Sequence, residues 1–425
     1  MTIEGWETGI LGKLCRISIG GTPTRNNPTY WDSGKETENL WVSIRDMNQR
    51  VITDTSEYIT DTGIKNSNAK TQYQGTVLLS FKLTIGRVAF AGRKLYTNEA
   101  IAALETDNLD STFLYYGLQQ WDLLQDVDQA IKGATLNKAK LNKIQFDYPN
   151  SIEEQTQIAA ILSTVDRAIE QTKAIIAKQQ RIKTGLMQDL LTKGIDEDGN
   201  VRSEATHAFK DSPLKRIPVE WEIKATQDFC SEIVDCPHST PAYEPAGIPC
   251  IRTADMVPGQ LLLNTAWRVS EKIYKERILR LEPRKGDIIY SREGERLGIA
   301  SPVGEERVCL GQRVMLLRPD TDTDSTYFLW SMNADDYYRR AIKGLGATTS
   351  PHINVKDIKL TPMRCPPSQE QKTIGKVLAQ HHYDYAANLN MLSKLSRLQM
   401  GLMQDLLTGN VRVTALLNDP KTAQV

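Results

Sequence analysis

Apolar positions along the chain fall into two kinds of pattern, and each kind occurs twice. Short apolar runs, TVLLSF and RVAFA early on and DIIYS and RVMLLR later, sit between turn formers and predict strands joined by irregular loops. FLYYGLQQW and YFLWSMN add a helix to each region. The second pattern covers residues about 153–193 and 369–408, which contain no proline. There Ile158, Leu162, Val165, Ile169, Ile176, Leu186 and Leu190 follow one another largely by threes and fours, as a coiled-coil seam requires. Thr172, Gln179 and Lys183 interrupt it. Pro149, Pro366 and Pro367 precede these segments, and Ser151 and Ser368 are expected N-caps.

The two patterns repeat as one. GLMQDLLT stands at Gly185–Thr192 and again at Gly401–Thr408, a shift of 216 positions. The same shift carries Glu154-Gln155, Ile158 and Leu162 onto Glu370-Gln371, Ile374 and Leu378, and completes a second seam at His381, Tyr385, Leu392, Leu402 and Leu406. Trp6 and Trp221 open the two halves. GTVLLS resembles GDIIYS, and GATLNKAKLNKI resembles GATTSPHINVKDI. The chain therefore reads as two mixed α/β domains (1–150 and 219–366), each followed by a long helix (151–194 and 367–412), an α+β architecture with an internal pseudo-twofold repeat. Residues 195–218 are polar and predict a linker, and 413–425 form a tail. At 425 residues, more than one core is expected.

Composition adds little until it is taken locally. Lys and Arg total 52 and Asp and Glu 52, so overall charge does not mark a nucleic-acid binder. Segments 81–94 and 131–146 each carry four basic residues and no acid, which suits phosphate neutralisation. Six scattered cysteines predict reduced thiols, and the absence of a secretory pattern or a long apolar run predicts a cytoplasmic protein. Asn27-Pro28-Thr29-Tyr30 looks like the motif with which adenine methyltransferases hold their target, but it follows a polar turn and no glycine-rich cofactor loop precedes it, so a plain loop is expected. Cys230, Cys236, His238 and Cys250 lack the CxxC spacing of a zinc site, and no GxxxxGK[ST] loop is present. Neither a metal nor a catalytic apparatus is expected. Glu153, Glu154 and Glu370 are expected to favour the helix N-termini through the dipole. Apolar positions beyond one seam, among them Ile161, Ile175, Ile182, Leu389 and Leu395, suit either internal packing or a partner's helices.

Taken together, the duplicated loop-rich domains, the two long helices ending in GLMQDLLT and the connecting GIDEDGNVRSEATHAFKDSPLKRIPVEWE resemble the specificity subunits of Type I restriction-modification systems over essentially the full length. The resemblance implies two target-recognition domains that each read half of a split double-stranded DNA sequence, held by two antiparallel helices. It implies a non-catalytic chain that binds two adenine-N6 methyltransferase subunits and two motor-nuclease subunits, with S-adenosylmethionine, ATP and Mg used by those partners. A helix of about 40 residues is about 60 Å long, against about 34 Å for a DNA turn. Helix length is thus expected to set the unread spacer, at about three base pairs per heptad. The resemblance places DNA contacts in corresponding loops, at Thr22, Thr24, Arg25, Arg45, Lys82, Arg87, Lys132 and Thr135 and at His238, Ser239, Thr240, Arg252, Arg292, Arg296, Lys343 and Thr348. Arginine can grip a guanine edge through two bonds, and Ser, Thr or Lys can hold phosphate or a base edge.

Overall fold

Both proline-free segments are helical in the computed structural model, over Ile152–Leu190 and Ser368–Leu407. Ser151 caps the first through a bond from the Glu154 N–H at 3.2 Å, whereas Ser368 is already the first residue of the second. Residues 3–124, 136–294, 296–343 and 352–417 are described. The chain divides into two units, Met1–Thr172 with Met391–Val425 and Lys173–Asn390. Each unit thus holds the start of one long helix and the end of the other.

In the first unit, Arg16–Ile19, Ile101–Glu105, Val77–Ser80, Val88–Ala91 and Val51–Ile52 form a five-stranded sheet in that order, antiparallel except for the last pair. Glu57–Tyr58, Leu40–Val42, Leu95–Thr97 and Thr71–Gln72 form a four-stranded sheet whose strands are interspersed with those of the first along the chain. The second unit repeats the plan with changed lengths. Its main sheet runs Cys230–Asp235, Val314–Pro319, Ile288–Ser291, Ala300–Pro302, and a smaller one joins Arg268–Val269, Ile248–Ile251 and Cys309–Leu310. TVLLS and DIIYS supply the buried strands Val77–Ser80 and Ile288–Ser291, in which every residue is buried. The predicted helices fall at Ser111–Gln120 and Ser325–Met332, capped by Asp110 and Asp324.

Glu-Gln at the start of each long helix fixes the domain upon it. Gln155 accepts the Asp110 N–H at 2.8 Å and donates to the Pro149 carbonyl at 2.8 Å. Gln371 repeats both bonds, from the Asp324 N–H at 3.1 Å and to the Pro366 carbonyl at 3.0 Å. The glutamates do more than face a helix dipole. Glu154 is buried and takes both arms of Arg412 at 2.6 and 2.7 Å, while Glu370 binds Arg202 and accepts the Trp221 indole N–H at 2.9 Å.

Leu406 and Leu407 of the second GLMQDLLT pack in one core with Trp6, Ile158 and Leu162, and Leu190 and Leu191 of the first pack with Trp221, Ile374 and Leu378. The octapeptide recurs because it fills an equivalent place in each unit. Residues near the start of one helix meet the end of the other, and Asp166 meets Gln399 further along, so the helices are antiparallel here; in the second unit Asn388 donates to Gln179 at 3.2 Å in the same sense. All seam positions are buried or half-buried. Residues 195–218 are less loose than their polar pattern suggests: Ile195, Leu214 and Ile217 are buried, and Phe209–Lys210 pairs with Ile217–Pro218.

The helix seam also differs between the units. In the first, Asp166 accepts from Tyr116 Oη at 2.6 Å and pairs with Arg50 at 3.3 Å. The positions displaced by 216 in the second unit are His382, for Asp166, and Lys183, for Gln399; there His382 packs 4.9 Å from the Trp330 ring and Lys183 lies 4.9 Å over it. Burial, then the nearby Lys183 charge, pushes His381 and His382 below the ordinary histidine range, although Asp384 acts weakly the other way on His381. Because the folded pKa values are lowered, the unfolded chain takes up these protons first. Stability is therefore full above the unfolded value of about 6.5 and falls as pH drops below it. Urea midpoints at pH 7.5 and 5.5 should show this loss, and His382→Gln should shrink it. In the same assay, Gln371→Ala is expected to cost about 2 kcal/mol or more by stranding two buried backbone groups, while the exposed Gln369→Ala stays within about 0.5 kcal/mol.

Candidate nucleic-acid interface

The tight turns that follow Val42 and Ile251 set the scene in each unit. Residues Ile44–Asp46 form a one-turn 3-10 helix closed by Asp46, which accepts from the Ser43 N–H and hydroxyl at 2.8 and 2.6 Å. Burial pushes the Asp46 carboxyl up, but bonds from Ser43 and Ser56 outweigh it and hold the group below the usual carboxylate range. Thr253–Asp255 forms the corresponding turn, closed by the buried Asp255 on the Arg252 N–H at 3.0 Å.

Arg87 donates to the Ile44 carbonyl at 3.1 Å and to Asn48 Oδ1 at 2.7 Å, clamping the first turn. Arg296 clamps the second through the Ala254 and Met256 carbonyls at 2.9 and 3.0 Å. Both side chains thus tie a neighbouring loop to the turn, Arg87 half-buried and Arg296 exposed. Arg292 goes further: its side chain is 7% exposed, and it binds Asp235 at 2.9 and 3.2 Å and Glu293 at 2.9 Å. A guanidinium so enclosed and committed holds the loop rather than presenting itself at a surface.

Most of the other expected contacts are also exposed or half-buried. Arg25 and Arg45 share Glu57, at 2.5 and 2.6 Å, and Arg25 stacks over the rings of Trp31 at 3.9 Å and Trp41 at 4.7 Å. Thr22 bonds Glu99, Thr24 is exposed, and Lys82 is half-buried beside the Phe81 ring. In the second unit Arg252 lies 3.9 Å over Trp267 and grips Asp255 with two nitrogens at 2.9 Å. The Asp255 bond raises the Arg252 pKa above its already high ordinary value. His238, Ser239 and Thr240 are exposed on one loop, with His238 3.2 Å from Asp235 and the Ser239 carbonyl accepting from the buried Arg277 at 3.1 Å. Lys343 is exposed, and Lys132, Thr135 and Thr348 lie outside the described residues.

The structure therefore gathers Arg25, Arg45 and Arg87 around one turn, and His238 with Arg292 around Asp235. Glu57, Asp235, Glu293 and Arg277, which organise these groups, carry no signal in the sequence, since a lone carboxylate or arginine in a loop has no periodicity. The exposed Trp267 was equally unreadable as an arginine platform. Asn27 accepts from the Thr29 N–H at 3.1 Å and caps the turn Pro28–Tyr30, so the NPTY segment is a loop. Burial pushes the Cys230 thiol up to about 12, and no group of three His, Cys, Asp or Glu among the described residues is placed to hold a metal ion. No helix among them is long and apolar enough to cross a membrane. Arg292→Ala should lower unfolding free energy by about 2 kcal/mol or more by stranding its carboxylates, whereas Arg45→Ala should change it by under about 1 kcal/mol; urea titration separates the two.

The chain is 23% identical over 423 residues to the Type I restriction enzyme MjaIX specificity subunit of Methanocaldococcus jannaschii, covering 97% of this chain and 95% of that one. It is 24% identical over 340 residues to the MjaVIII specificity subunit of the same organism, covering 77% of each. Its fold is similar to the crystal structure of the Type I restriction-modification S subunit from M. genitalium, with a TM-score of 0.61, 16% identity and coverage of 95% and 96%. The family model described as Type I restriction modification DNA specificity domain matches residues 3–179 and again 218–393, and the chain belongs to that family.

Proposed function

We propose that this chain is the DNA-reading specificity subunit of a Type I restriction-modification complex, recognising a split, asymmetric sequence and directing adenine-N6 methylation and cleavage performed by partner chains. The observation that carries the reading is the double family match, in which each copy is mounted on its helix by the same Glu-Gln clamp while the loops differ. Two equivalent mounts with unequal loops suit one frame that reads two unequal half-sites.

In this reading residues 1–150 and 219–366 are the two reading domains, 151–194 and 367–412 the spacer helices, 195–218 the connection and 413–425 a tail. Arg25, Arg45, Lys82, Thr22 and Thr24, with Arg252, His238, Ser239, Thr240 and Lys343, contact DNA, and Lys132, Thr135 and Thr348 belong to the same loops. Arg87 and Arg296 contact DNA as well as tying those loops together, and the buried Arg292 positions its loop. Two methyltransferase subunits using S-adenosylmethionine and two motor-nuclease subunits using ATP and Mg complete the complex, and helix length sets the unread spacer. The chain would act in the cytoplasm, where chromosomal DNA is available to it.

Genome-wide mapping of N6-methyladenine in cells expressing the chain with its methyltransferase tests this. The expected result is methylation confined to one two-part motif whose halves differ. Methylation without such a motif overturns the reading.

A further inference from the structure

Leu83 stands out on two independent grounds. It is 90% exposed, the most exposed of the large apolar side chains among the described residues, and its backbone has φ +62°. Exposed leucine gains nothing from burial, and a non-glycine residue in the left-handed region is sterically disfavoured. Such strain persists only where the surroundings impose it, and it concentrates at functional positions.

The surroundings do impose it. Ser80, at the end of the buried strand Val77–Ser80, donates its hydroxyl to the Thr84 carbonyl at 2.5 Å and accepts the Arg87 N–H at 3.0 Å. The Gly86 N–H closes on the Ser80 carbonyl at 2.9 Å. Arg87 then ties the far side of the loop to the turn that carries Arg45. The tip is braced at both ends, so Leu83 is presented by a rigid loop. Its neighbour is Lys82, within the acid-free segment 81–94.

The second unit closes a comparable loop with no leucine at this place. Ser291 bonds the Arg296 carbonyl and accepts the Ile299 N–H at 2.8 Å, and the Gly298 N–H closes on the Ser291 carbonyl at 2.9 Å. That loop is one residue longer, and the residue three after its serine is Gly294, with φ +85°. Glycine takes this conformation without penalty. Both loops thus hold a left-handed residue at the third position after the serine, a glycine in one and a leucine in the other.

We propose that Leu83 is a base-contacting, specificity-determining residue of the first reading domain, pressing an apolar side chain against a base pair of its half-site while Lys82 holds the adjoining phosphate. The inference rests on the DNA-reading function proposed above. Apolar side chains recognise bases through the thymine 5-methyl group or by wedging into a base step. Either contact would be present in one half-site and missing from the other.

The test uses the complete chain with its methyltransferase partners and a duplex carrying the motif found by methylation mapping. Leu83→Gly keeps the backbone conformation and removes the side chain, and Leu83→Asn keeps a residue that tolerates that conformation but is polar. Both should weaken binding to the target roughly tenfold with affinity for unrelated DNA unchanged, and both should relax discrimination in the first half-site alone. Lys82→Ala should weaken both duplexes alike. Replacing each thymine by deoxyuridine, or placing 2-aminopurine at each step, identifies whether a methyl group or an opened step is touched. If the wild type discriminates while both Leu83 variants bind and discriminate as it does, the assignment is wrong. Equal loss on target and unrelated DNA also overturns it. If the wild-type complex favours no sequence, the DNA-reading function falls and takes this inference with it.

Discussion

The Glu-Gln pair at the head of each long helix is the constraint on which the rest of the structure depends. A glutamine buried in a protein must satisfy both ends of its amide, and Gln155 and Gln371 do so by joining the helix lead-in to the cap of the neighbouring domain helix. Their glutamate neighbours are balanced by Arg412 and Arg202. Because these groups are desolvated, any shift of domain against helix leaves a donor or charge unpaired. The mount is therefore stiff, and loop positions inherit that stiffness.

On this shared mount, the two units spend their freedom differently. The braces are alike: Arg87 and Arg296 clamp equivalent turns, and Ser80 and Ser291 close equivalent loops. The presented groups are not. One unit offers Arg25 over Trp31 and Trp41 and an exposed leucine; the other offers Arg252 on Trp267 and the His238 loop. Carboxylates such as Glu57 and Asp255 answer these arginines within the protein, in keeping with a chain of zero net charge. Neutralising arginine internally fixes its orientation and limits indiscriminate phosphate binding.

How much of this was written along the chain depends on whether the signal is local. Helix periodicity, prolines ahead of each helix and the octapeptide repeat reflect packing that recurs every few residues, and Ile158, Leu162, Leu190 and Leu406 were legible for that reason. The strands around Val77–Ser80 and Ile288–Ser291 were legible as short apolar runs between turns. The interface residues were legible only as types and places. Arg45, Arg87 and Arg292 look alike in sequence, yet one is exposed, one is a clamp and one is buried, since each role is set by a carboxylate or carbonyl distant along the chain.

The sequence by itself determined the duplication, the two long helices, the loop-rich domains and the family, because repeats and hydrophobic periods are properties of neighbours along the chain. Only the tertiary structure decided which arginine is buried and which are exposed, that Glu154, buried, and Glu370, half-buried, are arginine partners instead of simple helix-end charges, and that residues 195–218 are packed. It also decided that Leu83 projects alone from a strained, braced loop. Burial and hydrogen-bond partners come from segments far apart in sequence, and no local pattern encodes them.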